Sequence, residues 1–264
     1  MAAKQPAELT PVRAGRLHHF GWLPDLPDAR DHLYASRPQT LTALPSTVDL
    51  TSKCPAVYDQ GQLGSCTANA IAGAIEFDRL KQKLQDWVPS RLFIYYNERA
   101  IEGTVNSDAG ARIRDGIKSV ATIGDCPEPT WPYDVAKFAV KPPSAAYGQA
   151  TKYKTVSYQR VARDLNQMKG CLAEGYPFVY GVSVYSSFPM QTTTGAIPMP
   201  GPGDTLDGGH AMLAVGYEDN GQSFIVRNSW GAGWGKSGYG TLPYAYLLNG
   251  GLSSDFWTIR LVQV

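Results

Sequence analysis

At 264 residues and 43% hydrophobic content, the chain is long enough to bury a full-sized core, as one large domain or as two interlocked lobes. A formal net charge of +1 supplies no long-range attraction to nucleic acid or to an anionic membrane surface, so neither is expected as a partner. No apolar run approaches the roughly 18–20 residues of a transmembrane helix, and residues 1–8 carry no apolar stretch behind Lys4, so no secretory leader is expected and the cytoplasm is the default compartment.

Residues 1–43 form a first unit, polar, punctuated by proline and without helical or strand periodicity. Within it, Phe20-Gly21-Trp22-Leu23-Pro24-Asp25-Leu26-Pro27-Asp28 concentrates large apolar side chains between prolines that favour extended backbone. The expectation is an arm held against a body by its side chains; a disordered tail is the competing reading.

The next stretch, Tyr58-Asp59-Gln60-Gly61-Gln62-Leu63-Gly64-Ser65-Cys66, delivers one cysteine to the start of an apolar helical run. A thiol in the first turn of a helix meets unpaired N–H groups and the positive end of the macrodipole, which favour thiolate. Gln60 offers a side-chain amide able to reach back over that thiol. Read alone, Cys66 is equally a small buried hydrophobe.

From 66 to 84 the apolar positions Ala70, Ile71, Ala74, Phe77, Leu80 and Leu84 recur at helical spacing. Gly73 in their midst costs about 1 kcal/mol of propensity and implies a close neighbour. Pro89-Ser90 reads as a stop and N-cap for a second helix through Leu92, Tyr95, Tyr96 and Arg99. Ile113, Ile117 and Val120 mark a third, ending before Gly124. The period then changes. Residues 153–161, 178–185, 211–217, 223–228 and 256–262 have the β-branched and aromatic content of strands, with one further helix at Leu165, Met168 and Leu172. Helices first and strands second predict an α+β chain of two lobes, helical over roughly 44–150 and β over roughly 151–264, with a ligand cleft between them. A Pro/Gly/Thr-rich run over 186–209 is either a functional loop or a tolerated surface insertion.

Glu218-Asp219-Asn220-Gly221 is a hairpin turn signal. If Tyr217 pairs with Gln222, His210 falls opposite Ser229 and next to Asn228. An imidazole oriented by an amide needs only a nucleophile to complete a catalytic triad. His18, His19 and His32 lie in the arm and have no such setting. Cys54, Cys66, Cys126 and Cys171 contain no Cys-x-x-Cys pair, and the histidines do not follow them at zinc spacing, so no metal and no cofactor is expected.

Gln60-Gly61-x-x-Gly64-Ser65-Cys66, Gly209-His210-Ala211 and Asn228-Ser229-Trp230-Gly231-x-Gly233-Trp234-Gly235 together resemble the three signature blocks of the papain-like cysteine peptidases. Their order agrees, and His210 and Asn228 lie near the expected distance of about 130–150 residues downstream, the second slightly beyond it. The resemblance runs from about Leu44 to the C-terminus. It implies the papain-like two-lobed fold and a cysteine endopeptidase acting on peptide or protein substrates. Cys66 would be the nucleophile, with a thiol pKa of about 3–4 as in the papain pair. His210 would be its base and then acid, and Asn228 the imidazole's orienter under the cover of Trp230. Gln60 and the Cys66 backbone N–H would form the oxyanion hole. Gly110 resembles the glycine that pairs with extended substrate; Gly209 and Trp230 would also border substrate.

The departures are informative. Leu63 stands where many members carry a disulfide cysteine, and Thr67 where they carry tryptophan, as in a divergent, bacterial-looking branch. Cys54 and Cys126 flank the helical lobe, each before a proline, and are expected either to pair or to remain free; Cys171 is expected in the core. The family's long helical propeptide is absent, and only residues 1–43 precede the mature-like start. The arm is therefore expected to cross the cleft as an intramolecular inhibitor, a short prosegment. Two alternatives share the motifs: a papain-fold scaffold without turnover, and a related thiol acyl-transferase or amide hydrolase.

Overall fold

The computed structural model describes residues 20–262, and its elements run from helices to strands. Strand β1 (Trp22–Leu23), helix α1 (Pro38–Thr42) and strand β2 (Thr47–Asp49) lead into helices α2 (Cys66–Lys81) and α3 (Arg91–Glu102). There follow β3 (Ala111–Arg112), α4 (Ile113–Thr122) and α5 (Ser144–Ala150). The second half holds β4 (Thr155–Arg160), α6 (Leu165–Ala173), β5 (Phe178–Tyr185) and β6 (Leu206–Glu218). It ends with β7 (Ser223–Arg227), β8 (Tyr239–Pro243), α7 (Tyr244–Leu248) and β9 (Ser253–Val262). The α+β expectation holds, with α3 and α4 packed on one flank of α2 and the sheet on the other.

Helix α2 is buried from Cys66 to Arg79, enclosed between the other helices and the sheet. The neighbour that Gly73 implies is Arg227, whose Nε would lie 3.3 Å from a Cβ added there. Helix α3 begins as predicted: the buried Ser90 hydroxyl accepts from the Phe93 N–H at 3.2 Å and donates to the Trp131 carbonyl at 2.6 Å. It stops at Gly103 in the left-handed region, φ 74°. Ser90→Ala should cost about 1–2 kcal/mol through the lost cap and the orphaned carbonyl. The shift would be read as a lower denaturant midpoint at unchanged slope.

The sheet has the order β4-β9-β5-β6-β7-β8, with β2 added to β6. The predicted hairpin between β6 and β7 forms, but in a different register: Glu218 pairs with Ser223 and Leu213 with Arg227. Two causes act. The turn widens to residues 219–222, with Gln222 at φ 45° donating its N–H to the Asp219 carbonyl at 3.1 Å. A bulge then leaves Val215 without a partner on β7, its carbonyl taking the Leu50 N–H instead at 2.9 Å.

All four cysteines are free thiols, so the open question over Cys54 and Cys126 resolves against a disulfide. Cys126 is buried in a small cluster with Phe93, Ala146 and Ala150, whereas the Cys54 Sγ lies 3.4 Å from the Leu50 carbonyl. Cys171 is fully buried in the main core, as expected. The Pro/Gly/Thr-rich run is stitched down rather than looped out. Phe188 and Ile197 are buried, Trp234 donates its indole N–H to the Pro189 carbonyl at 2.8 Å, and Gly195 and Ile197 exchange backbone bonds with Thr241.

The arm docks. β1 pairs in parallel with β3, Trp22 against Ala111 and Leu23 against Arg112. The chain after it is joined to the sheet lobe: Tyr34 N–H bonds the Arg160 carbonyl at 2.8 Å and Arg160 N–H the His32 carbonyl at 2.7 Å. His18 and His19 lie outside the described residues.

Candidate active site

Cys66 opens α2 and is fully buried. Backbone N–H groups of Ala211 on β6, of Gly21 in the arm and of Thr67 are directed at its sulfur. The thiol nevertheless does not sit where the resemblance implies. Burial, the largest influence, pushes it up to about 12 against these hydrogen bonds. The charge of Glu98 acts in the same direction as burial but behind it, and burial pushes the Glu98 carboxyl itself well up. Loss of water over the sulfur is therefore the cause, and the arm is part of what excludes the water.

His210 and Asn228 meet despite the altered register. The imidazole Nε2 lies 2.8 Å from the Asn228 Oδ1, and Oδ1 also accepts the Ser229 N–H at 2.8 Å. Because Oδ1 can only accept, the facing Nε2 carries the hydrogen. Trp230 stacks on the imidazole with ring centroids 4.8 Å apart and planes 30° apart. Gln60 is fully buried. Its Oε1 accepts the Ser229 hydroxyl at 2.6 Å and its Nε2 donates to the Leu63 carbonyl at 3.0 Å. The amide thus presents its NH₂ side toward the loop that carries Cys66.

The arm fills the space between these groups. Gly21 approaches so closely that a Cβ on it would overlap the Gly64 carbonyl, and its own carbonyl accepts the Ala111 N–H at 2.7 Å. Phe20 stands edge-on to His210, centroids 6.3 Å apart, and 6.4 Å from Trp230. Gly110, at φ 71°, leaves room for the Gly21 carbonyl where a side chain would collide. Its N–H goes to the Tyr95 hydroxyl at 3.2 Å, so the arm's backbone bond is made by Ala111. Gly209 lies under Trp22. Trp230 also borders a cavity of about 510 Å³ with Met190, Gln191, Thr192, Thr193 and Trp234.

Several residues at this site are not legible in the sequence. Ser229 orients Gln60 across 169 residues of chain. Asp108 clamps the Gly64 N–H at 3.0 Å and takes the Tyr95 hydroxyl. Asp255 accepts the Trp22 indole N–H at 3.2 Å. Asp108 stands two residues before a glycine turn and Ser229 inside the third signature block, but neither partner could be read from the sequence.

A family profile described as papain family cysteine protease matches residues 44–245. An uncharacterised peptidase C1-like protein of Acanthamoeba polyphaga mimivirus is 41% identical over 271 residues, covering 92% of this chain and 87% of that one. A cathepsin L-like proteinase of Fasciola hepatica is 28% identical over 191 residues, covering 69% of this chain and 55% of the relative. Among solved structures, xylellain, a cysteine protease from Xylella fastidiosa, superposes with a TM-score of 0.89 at 46% identity, over 95% of this chain and 99% of that one.

Proposed function

The chain belongs to the papain family of cysteine proteases and is a cysteine-type peptidase of that two-lobed α+β fold; from that premise we propose an endopeptidase that works through Cys66 and is held shut by its own N-terminal arm. The observation that carries this reading is that the Cys66 sulfur receives the N–H of Ala211, the residue after the Asn228-bonded His210, together with the N–H of Gly21 from the arm.

Once the arm leaves, water and the imidazole reach the thiol and the thiolate–imidazolium pair forms. With Nε2 bonded to Asn228, Nδ1 is the nitrogen that takes the thiol proton. The sulfur attacks the peptide carbonyl carbon, forming an S–C bond as the carbonyl electrons move to oxygen. The oxyanion is received by the Cys66 N–H, which has no partner within its own helix, and by the second hydrogen of Gln60 Nε2. The imidazolium gives its proton to the leaving amine as the C–N bond breaks. His210 then deprotonates a water that attacks the thioester, and the thiol is restored.

The arm is assigned to residues 1–43, ahead of a peptidase domain over 44–264, and its strand β1 takes the path a substrate would use along β3 by strand addition. It survives there because it offers the sulfur an N–H and not a carbonyl carbon: the Gly21 carbonyl is turned to Ala111. Its inhibitory part is residues 20–28. Tyr34 and Ser36 are buried against the sheet lobe, so loosening the arm by Trp22→Ala in the full-length protein disturbs the fold less than deleting residues 1–43.

An epoxide inhibitor of cysteine peptidases, read by intact mass, tests the whole reading. One adduct is expected on Trp22→Ala, a slower one on the wild type, and none on the Cys66→Ala form of either. No adduct on Trp22→Ala would overturn the assignment of Cys66; equal rates with the wild type would overturn the restraint by the arm.

A further inference from the structure

The loop from Gln60 to Cys66 carries both donors of the proposed oxyanion hole, the Gln60 amide at one end and the Cys66 N–H at the other. No disulfide crosses it: Leu63 occupies its middle, and all four cysteines are free thiols. Its shape is therefore set by hydrogen bonds, and one side chain reaches both ends. Tyr133, from the segment between α4 and α5, donates its hydroxyl proton to the Gln60 carbonyl at 2.9 Å and lies 2.5 Å from the Ser65 hydroxyl. A single oxygen atom thus bonds the backbone of Gln60 and the residue before the nucleophile.

The donors can be assigned along the whole run of contacts. A carbonyl only accepts, so the one Tyr133 proton goes to Gln60. The Ser65 hydroxyl then donates to Tyr133, and its own oxygen accepts from Asn69 Nδ2 at 3.0 Å. Asn69 Oδ1 in turn accepts from the Arg91 guanidinium at 3.3 Å. These protons all point toward Gln60, an arrangement in which each bond polarises the next. Burial pushes the Tyr133 hydroxyl up to about 12, so it keeps its proton through the neutral range. Other contacts locate the ring: the Arg91 guanidinium lies over it, 4.1 Å from its centroid, and the Tyr133 N–H donates to Glu128 at 3.2 Å. From the opposite side, the Ser229 carbonyl accepts the Gln60 N–H at 2.9 Å, so the backbone of Gln60 is pinned from both lobes.

We propose that Tyr133 is a positioning residue for the oxyanion hole, fixing the Gln60 amide relative to the Cys66 N–H through its one hydroxyl. The inference rests on Cys66 being the peptidase nucleophile and on the oxyanion forming between those two donors. A misplaced donor costs most when the carbonyl oxygen takes up negative charge, and little while substrate is only bound. Formation of the thiolate belongs to His210, so the reactivity of the thiol itself should not depend on Tyr133.

Tyr133→Phe in the full-length Trp22→Ala protein keeps the ring and removes the hydroxyl. On one fluorogenic peptide kcat should fall about tenfold, less than the roughly 10²–10³ lost with an oxyanion donor itself, and KM should stay within about twofold. A peptide aldehyde places its oxygen in the same hole once the thiol has added to its carbonyl carbon, so its affinity should fall by a similar factor. Alkylation of Cys66 by iodoacetamide expels iodide and forms no oxyanion, so its rate should hold within about twofold. Ser65→Ala, which removes the other partner, should give the same split, and the double variant should lose little more than Tyr133→Phe alone. Should Tyr133→Phe fail to fold, the split in Ser65→Ala decides. An unchanged kcat, or alkylation that slows in step with kcat, would overturn the positioning role and leave Cys66 as the nucleophile. A Trp22→Ala parent that cleaves no peptide and takes no label at Cys66 would overturn both.

Discussion

Replacing His210 with alanine should lower kcat/KM of the Trp22→Ala protein by about 10⁴–10⁶-fold, with no comparable loss of stability. The imidazole is the proton carrier in both halves of the proposed cycle, and groups that act as one unit are lost nearly whole when any essential member is removed. Cys66→Ala should therefore cost about as much, and the double variant little more than either. Asn228→Ala should cost far less, about 10–10²-fold, because a second restraint on the ring survives: Trp230 still stacks on it at 4.8 Å. Its loss should also appear as a changed pH profile, since Oδ1 no longer holds the Nε2 hydrogen. Steady-state assays on one fluorogenic peptide, with thermal unfolding of each variant, measure all four. A His210→Ala protein retaining a tenth of the activity would remove His210 from the role.

What the sequence disclosed depended on the range of the physics involved. The helix that begins at Cys66, the Ser90 cap and the strand at Phe178–Tyr185 are legible because propensity, capping and periodicity act within a few residues. The proximity of His210 and Asn228 was legible for a similar reason: a hairpin brings near neighbours together even when its register is misjudged. The register itself was not, because the bulge at Val215 answers to β2, a strand from far upstream. Asp255 was invisible for the same reason in stronger form. Nothing in Ser253-Ser254-Asp255-Phe256 signals a left-handed residue, yet Asp255 sits at φ 61°; its conformation is imposed by Trp22 and Arg160 from elsewhere in the chain. The thiol's state was misread on different grounds. The helix terminus and the imidazole argue for thiolate, but burial beneath the arm outweighs them while the arm is docked.

Labelling of Cys66 in the otherwise unaltered full-length protein should accelerate between about pH 4 and pH 7 by more than thiol ionisation explains, and Asp25→Asn should abolish the excess. In the docked arm Asp25 faces Asp255 of β9, accepts the Trp257 indole N–H at 2.9 Å and the Arg114 N–H of α4 at 3.1 Å, and lies near the Arg114 guanidinium. Burial first, and the Asp255 charge second, push its carboxyl up to about 7. Released with the arm, the same carboxyl returns to about 3.9. A docked pKa above the undocked one gives docking a stabilisation that is complete below about 3.9 and is lost as pH climbs through about 7. Over that window the docking constant falls by at most about 10³. Asp31 works in the opposite sense. Its burial is outweighed by the Arg114 and Arg160 hydrogen bonds, which hold it below the ordinary carboxylate range, so its contribution is present above that range and lost in stronger acid. The Cys66 thiol, raised while covered, adds to release only above its uncovered pKa. The arm should thus hold best near pH 4 and loosen toward neutrality. Asparagine at position 25 carries no charge at any pH and so escapes the repulsion from Asp255, so the variant should keep the arm docked at pH 7. Second-order labelling rates should agree within about twofold at pH 4 and diverge by about 10² or more at pH 7, with the wild type faster. Parallel profiles for the two proteins would take Asp25 out of the latch and leave the arm's release independent of that carboxyl.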